Sequence, residues 1–248
     1  RRDWKYQQAF FQQLTTRIPA LAPDTALLIN ELPYNRSTDN SLTAPLNWAY
    51  ASDFAGGDLP LFMYYVQLRF GREPTAFDAG TDLAADYRFY PFQSSPEQSL
   101  VLYHDPPACL RVLSSEHQLH YPLLPSYMRT MLPFSNLDRI LFDEQTSATL
   151  PPMMAQPSRP ETWCHYFQRA DLARQRGDWE QVVHLGDIAF ALDDSPNHAS
   201  ERVPFIEGYA HTDQWSRAEA LSAEALEINK FMAPMLCDAW ERVEIGTP

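Results

Sequence analysis

Lysine is almost missing from this chain, and glycine is scarce. Lys5 and Lys230 are its only lysines, and 19 basic residues stand against 32 acidic ones, a net charge of -13. A phosphate backbone is gripped by clustered Lys and Arg, yet the longest basic run is Arg1-Arg2. That balance argues against a nucleic-acid partner and, for the same reason, against anionic lipid headgroups. The 8 glycines are outnumbered by 21 prolines, which implies stiff surface connections rather than floppy linkers. Long apolar runs are also missing. Nothing reaches the ~18 residues of a bilayer-spanning helix, and the opening RRDWKYQQAFFQQL lacks the apolar centre of a signal peptide. As it stands, the chain carries no route out of the cytoplasm, although a piece of a longer protein reads the same way.

Cysteine is limited to Cys109, Cys164 and Cys237. No C-x-x-C occurs, and adjacent Cys164-His165 is a poor spacing for chelating one metal. An odd count leaves at least one thiol unpaired within the chain. Buried reduced thiols are the expectation, with a Cys164–Cys237 disulfide as the alternative. The signatures G-x-G-x-x-G, G-x-x-x-x-G-K-[ST], H-E-x-x-H and G-x-S-x-G are all absent, so no cofactor, metal or catalytic residue is expected. The glycine pair of FAGGDLP lacks the strand-to-helix setting of a phosphate cradle. His104-Asp105 before Pro106-Pro107 reads as a capped turn rather than half of a Cys–His pair with Cys109. His117 and His120 fall in polar SSEHQLH, a loop rather than a metal site.

What is present is 45% hydrophobic content, enough for one large or two modest cores. The spacing of Trp4, Phe10, Phe11, Leu14 and Ile18 predicts an amphipathic helix over 3–18, with Asp3 as N-cap and Pro19 as stop. TALLINELP reads as a buried strand. Residues 40–51 read as a loop entering a short helix with Pro45 near its first turn, and 61–70 is open between strand and helix. ADYRFYPF, SLVLYHD and CLRVL together suggest two or three short antiparallel strands over 85–113. Short helical pieces are expected over 121–144. Pro-rich TSATLPPMMAQPSRP is the best boundary. The expectation is therefore α+β: a small mixed α/β sheet domain at 1–150, a Pro-rich linker at 151–160, and an all-α helical-hairpin domain at 161–248.

The last part carries a repeat. GDWEQVVHLGDIAFAL and TDQWSRAEALSAEALEI place matching apolar residues three, ten and eleven after their tryptophans: Val182, Ala189 and Phe190, then Ala218, Ala225 and Leu226. Trp179 and Trp215 lie 215 − 179 = 36 residues apart, close to the ~34-residue tetratricopeptide period. The region 163–230 thus resembles tetratricopeptide repeats, with 234–244 as a capping helix. It departs from them at Gly186, where an aromatic is usual, and at Ala170 and Ile206, where glycine is. Two repeats are short for a free solenoid, so the hairpins are expected to dock on the α/β part. Tyr166, Arg169, Arg202 and Tyr209 are candidates for a partner surface on them.

A second resemblance rests on motif order: TALLINELP, DNSLTAPLNWAYA, LPLFMYYVQLRFG, DPPACLRVL, SNLDRI, WCHYFQRADLARQRGDWEQVVHLGD and ASERVPFIEGYAH. In this order they resemble the soluble C-terminal region of multi-span bacterial membrane proteins similar to protein-O-mannosyltransferase-type glycosyltransferases. The resemblance implies an extracytoplasmic tail whose first helix leaves the last membrane span. It implies a catalytic acid and a lipid-phosphate donor site in an absent membrane portion, so no catalytic residue is carried over. The tail would be a non-catalytic domain for interaction or acceptor docking, its partner a protein or a glycan or peptide acceptor. Membrane contact would come only through the absent span.

Two alternatives remain: a structural subunit of a cell-surface assembly, or a self-contained carbohydrate-active enzyme using the 30–50 loop. Asn30, Glu31, Asn40 and Asn47 are candidate polar liners of a sugar pocket there, with Trp48 and Tyr50 as stacking faces. The Asn35-Arg36-Ser37 sequon in that stretch is read as chance.

Overall fold

The computed structural model describes residues 2–32, 38–73, 77–142, 147–155 and 162–246. In chain order the helices are α1 (Arg2–Arg17), α2 (Asp39–Tyr50), α3 (Val66–Phe70), α4 (Ser115–Gln118), α5 (Ser126–Arg129), α6 (Trp163–Gln175), α7 (Trp179–Ala189), α8 (Val203–His211), α9 (Trp215–Ile228) and α10 (Ala233–Gly246). The strands are β1 (Ala20–Leu21), β2 (Thr25–Ile29), β3 (Leu61–Tyr65), β4 (Ala85–Tyr87), β5 (Tyr90–Phe92), β6 (Ser99–Tyr103), β7 (Arg111–Leu113) and β8 (Ile140–Leu141). The architecture is α+β, a small mixed sheet plus a helical C-terminal region. The chain forms two compact units. The first takes residues 1–105, 110–115 and 124–157; the second takes 106–109, 116–123 and 158–248. Among the described residues, no helix is long and apolar enough to cross a membrane.

The sheet unit is organised by a four-stranded sheet of order β3-β2-β6-β7. β2 pairs in parallel with both β3 and β6, and β7 closes the far side antiparallel to β6. Every residue of β2, β3 and β6 is buried, as expected of strands covered on both faces. Phe10, Phe11 and Leu14 of α1 are fully buried. The stretch 61–70, open between strand and helix, is both: β3 runs straight into α3. Within 85–113, β7 returns antiparallel to β6 as expected, but the strands do not form one continuous antiparallel set. β4 and β5 form a separate ribbon, while β6 joins the main sheet in parallel.

β3 is an edge strand, and α2 covers that edge with two side chains one helical turn apart. Thr43 Oγ1 accepts from Met63 N at 3.2 Å, and Asn47 Nδ2 donates to Leu61 O at 2.8 Å. Backbone groups that would template another strand are thereby occupied. Pro45 lies inside α2 rather than in its first turn. It can donate nothing to the carbonyl four residues back, and that carbonyl, Ser41 O, instead accepts from Gln7 Nε2 at 3.5 Å.

The helical unit is built of successive antiparallel pairs: α6 packs on α7, α7 on α8, α8 on α9, and α10 returns onto α8. The α7–α8 contact is close because two glycines face it. A Cβ at Gly186 would stand 2.8 Å from the Phe205 ring, and one at Gly208 would stand 2.5 Å from Val182 Cγ1. Phe205 and Tyr209 occupy the space opposite Gly186, which accounts for glycine where the repeat pattern leads one to expect an aromatic.

Candidate functional site

The sheet unit carries a cleft of about 200 Å³ walled by Asn47, Trp48, Phe54, Leu59, Tyr87 and Tyr90, among others. Three local structures supply the wall. α2 contributes Asn47 and Trp48, and the loop after it contributes Phe54 and Leu59. That loop turns through Gly56 and Gly57 at φ +121° and +107°, values that side-chain-bearing residues rarely adopt. The β4–β5 ribbon contributes Tyr87 and Tyr90, which are directly paired across it and so share a face. The loop and ribbon are joined where Leu59 N donates to Pro91 O at 2.7 Å.

The rings are presented rather than buried. Trp48 is 51% exposed and Tyr90 40% exposed, while Phe89 at the ribbon turn is 94% exposed. Phe54 meets Tyr90 edge to face, with centroids 5.3 Å apart and planes at 75°, which fixes the Tyr90 ring from one side. Clustered exposed aromatics of this kind mark recognition surfaces.

The polar element of the wall is Asn47. Its Nδ2 is committed to Thr43 O and Leu61 O, both at 2.8 Å, which sets the amide's orientation. Its Oδ1 is buried with no donor among the described residues. Such an acceptor costs about 1–3 kcal/mol unless a donor reaches it. The lining offers aromatic faces, an amide and the Ser52 hydroxyl.

Only Asn47 and Trp48 of the six candidate liners are in this cleft. Asn30 is buried in the sheet, its Nδ2 donating to His104 O at 2.9 Å and its Oδ1 accepting from His104 N at 2.8 Å, so it ties the ends of β2 and β6 together. Glu31 Oε1 accepts from Leu68 N at 2.8 Å. It also bonds the Tyr127 hydroxyl, whose pKa burial and then the Glu31 charge push up to about 12. Asn40 is exposed in the first turn of α2, beside buried Asp39, whose carboxylate pairs with Arg69. Tyr50 donates its hydroxyl to Ile18 O at 2.9 Å, and burial raises its pKa well above the usual phenol value. The single 30–50 pocket is therefore corrected. Residues two apart on a helix do not share a face, so Trp48 and Tyr50 diverge, and the β2–α2 connection keeps Asn30 and Glu31 at the strand ends. The Asn35-Arg36-Ser37 sequon lies outside the described residues, as does 156–161 of the Pro-rich stretch.

Phe54, Tyr87 and Tyr90 were not singled out in the sequence. Alternation in ADYRFYPF marks strand, but nothing local says which helix the ribbon faces.

In the helical unit, Arg169 is exposed, whereas Tyr166 at 5%, Arg202 at 6% and Tyr209 at 2% are interior. A partner surface through those three is corrected: they hold the unit together. Arg217 sits 3.8 Å over the Tyr209 ring and donates to its hydroxyl at 2.7 Å. Burial, with Arg217 opposing it, still raises the Tyr209 pKa to about 12. Arg202 Nη2 donates to Glu224 Oε1 at 2.5 Å.

The reduced-thiol expectation and the Cys164–Cys237 alternative are likewise corrected. Cys109 and Cys164 form a disulfide, and Cys237 is free and exposed. Glu201, fully buried, receives Cys109 N and Asn197 N at 2.9 Å each, which holds the 106–109 segment against the helices of its unit. His120 Nδ1 lies 2.6 Å from Asp238 Oδ2. Among the described residues, no three His, Cys, Asp or Glu are grouped to hold a metal.

Comparison with known proteins gives no match to any family model, curated protein or solved structure.

Proposed function

We propose that this chain is a recognition module whose sheet unit docks a saccharide-bearing acceptor in the Trp48–Tyr90 cleft. The carrying observation is the clustering of half-exposed flat rings around one small concavity whose lining also includes the exposed Ser52. The apolar faces of a sugar stack on such rings, and its hydroxyls exchange hydrogen bonds with the Ser52 hydroxyl.

Two further observations support the wider reading of the chain as the extracytoplasmic, non-catalytic tail of a glycosyltransferase-like membrane protein. Disulfides persist in oxidising compartments outside the cytoplasm, which favours that location for Cys109–Cys164. The paired helices of α6–α9 favour tetratricopeptide-like repeats as a platform for partners.

The test is retention of the full chain on immobilised mono- and oligosaccharides and glycopeptides, alongside Trp48→Ala and Tyr90→Ala. The wild-type chain is expected to be retained by a subset, with each substitution releasing it. Retention by no saccharide, or retention unchanged in both variants, refutes the reading.

A further inference from the structure

A second aromatic groove lies wholly within the helical unit. It measures about 540 Å³ and is lined by Trp215 of α9 and by Cys237, Trp240, Glu241, Val243 and Glu244 of α10. The two indoles are nearly parallel, with planes 20° apart and centroids 6.4 Å apart. Trp215 is 39% exposed. Trp240 is held by its Nε1–H, which donates to Ser222 Oγ at 3.2 Å, so its polar atom is spent inside the protein and its ring is left for contacts.

The charge of the lining is one-sided. Among the described residues, its only ionisable groups besides the thiol are Glu241 and Glu244, both exposed and on successive turns of α10. Indole faces attract cations through the ring quadrupole, and neighbouring carboxylates add to that attraction. Neutral apolar partners would leave both carboxylates desolvated without compensation.

We propose that this groove docks a basic peptide segment of a partner protein, seating an arginine side chain against Trp215 and Trp240 with its guanidinium bonded to Glu241 or Glu244. Arginine fits better than lysine because its planar guanidinium stacks on indole while donating to carboxylates in its own plane. This site is separate from the saccharide cleft and does not depend on it.

Cys237, the one free thiol, lines the groove and reports its occupancy. The experiment follows alkylation of Cys237 by iodoacetamide in the full, non-reduced chain. It adds the acetylated, amidated pentapeptide Gly-Arg-Gly-Arg-Gly, its lysine analogue or its glutamate analogue. The arginine peptide is expected to slow alkylation in a saturable, salt-sensitive way and to alter Trp fluorescence. The lysine peptide should act more weakly and the glutamate peptide not at all. Glu241→Gln with Glu244→Gln, both at exposed positions, should weaken the arginine peptide by about tenfold. Equal protection by the arginine and glutamate peptides, or protection by none, overturns the proposal. So does protection that rises with protein concentration alone, which would instead identify a second copy as the occupant.

Discussion

Arg174 Nη1 lies 2.9 Å from Glu207 Oε2, with both side chains at most 5% exposed. The pair is the centre of a chain of charge: Arg174 also reaches Asp171 at 2.5 Å, and Arg242 Nε donates to the other Glu207 oxygen at 2.8 Å. One carboxylate on α8 thus joins α6 and α10. The carboxylates and hydrogen bonds more than offset desolvation and raise the Arg174 pKa above its ordinary value.

Glu207→Gln should therefore be among the most damaging single-atom-scale changes in the helical unit. It removes the carboxylate shared by Arg174 and Arg242 and leaves Arg174 with Asp171 alone, at a cost of about 3 kcal/mol or more. The exposed pair Arg217–Asp187 provides the contrast, and Asp187→Asn should cost less than about 1 kcal/mol. Urea unfolding followed by far-UV circular dichroism compares the two. Equal shifts would show that burial does not govern the network.

The sheet unit has a pH dependence with a known sign. His104 is 5% exposed and both ring nitrogens lack partners among the described residues; burial lowers its pKa to about 4. Above the ordinary value near 6.5 the ring is neutral in both folded and unfolded chains, and His104 contributes no pH slope. As pH falls from about 6.5 towards 4, the unfolded chain gains the proton first and stability declines. The loss is about 3 kcal/mol by pH 4. His104→Leu should flatten that segment of the urea-midpoint profile. A profile unchanged by the substitution would assign the slope to other groups.

The disulfide closes a loop with a sequence separation of 55, for which the chain-entropy account gives about 4 kcal/mol of stabilisation. Reduction, or paired Cys109→Ser and Cys164→Ser, should lower the unfolding midpoint of the helical unit. Thiol trapping of the unreduced chain from its native source should alkylate Cys237 alone. Alkylation of all three cysteines would argue against an oxidising location.

Much of this architecture was legible because it is local. The apolar spacing of α1, the Trp-anchored helices of the C-terminal region and the apolar run of β2 all state their period in a few residues. The partnering of segments was not. Nothing in SLVLYHD distinguishes a strand parallel to β2 from the next arm of a meander, because that choice is made by residues more than seventy positions away. The same holds for Cys109: its distance from Cys164 is short only because Glu201 and its neighbours fold the 106–109 segment onto the helices. At the cleft, Trp48 and Asn47 could be proposed from their chemistry. Tyr87, Tyr90 and Phe54 could not, because they matter only once the ribbon and the glycine-turned loop lie opposite α2. Tyr166, Arg202 and Tyr209 carry side chains typical of surfaces, but the ion pair of Arg202 with Glu224 and the cation–π contact of Arg217 on Tyr209 make burial of the last two tolerable.

The central claim is that the Trp48–Tyr90 cleft binds sugar, and it can be tested residue by residue. The indole Nε1–H resonances of the 6 tryptophans can be assigned by substitution and followed by NMR during titration with whichever oligosaccharide the immobilised panel retains. The expected result is a saturable shift of the Trp48 resonance, abolished in Tyr90→Ala, with Trp215 and Trp240 stationary. A stationary Trp48 under saccharide concentrations that saturate retention would contradict the account.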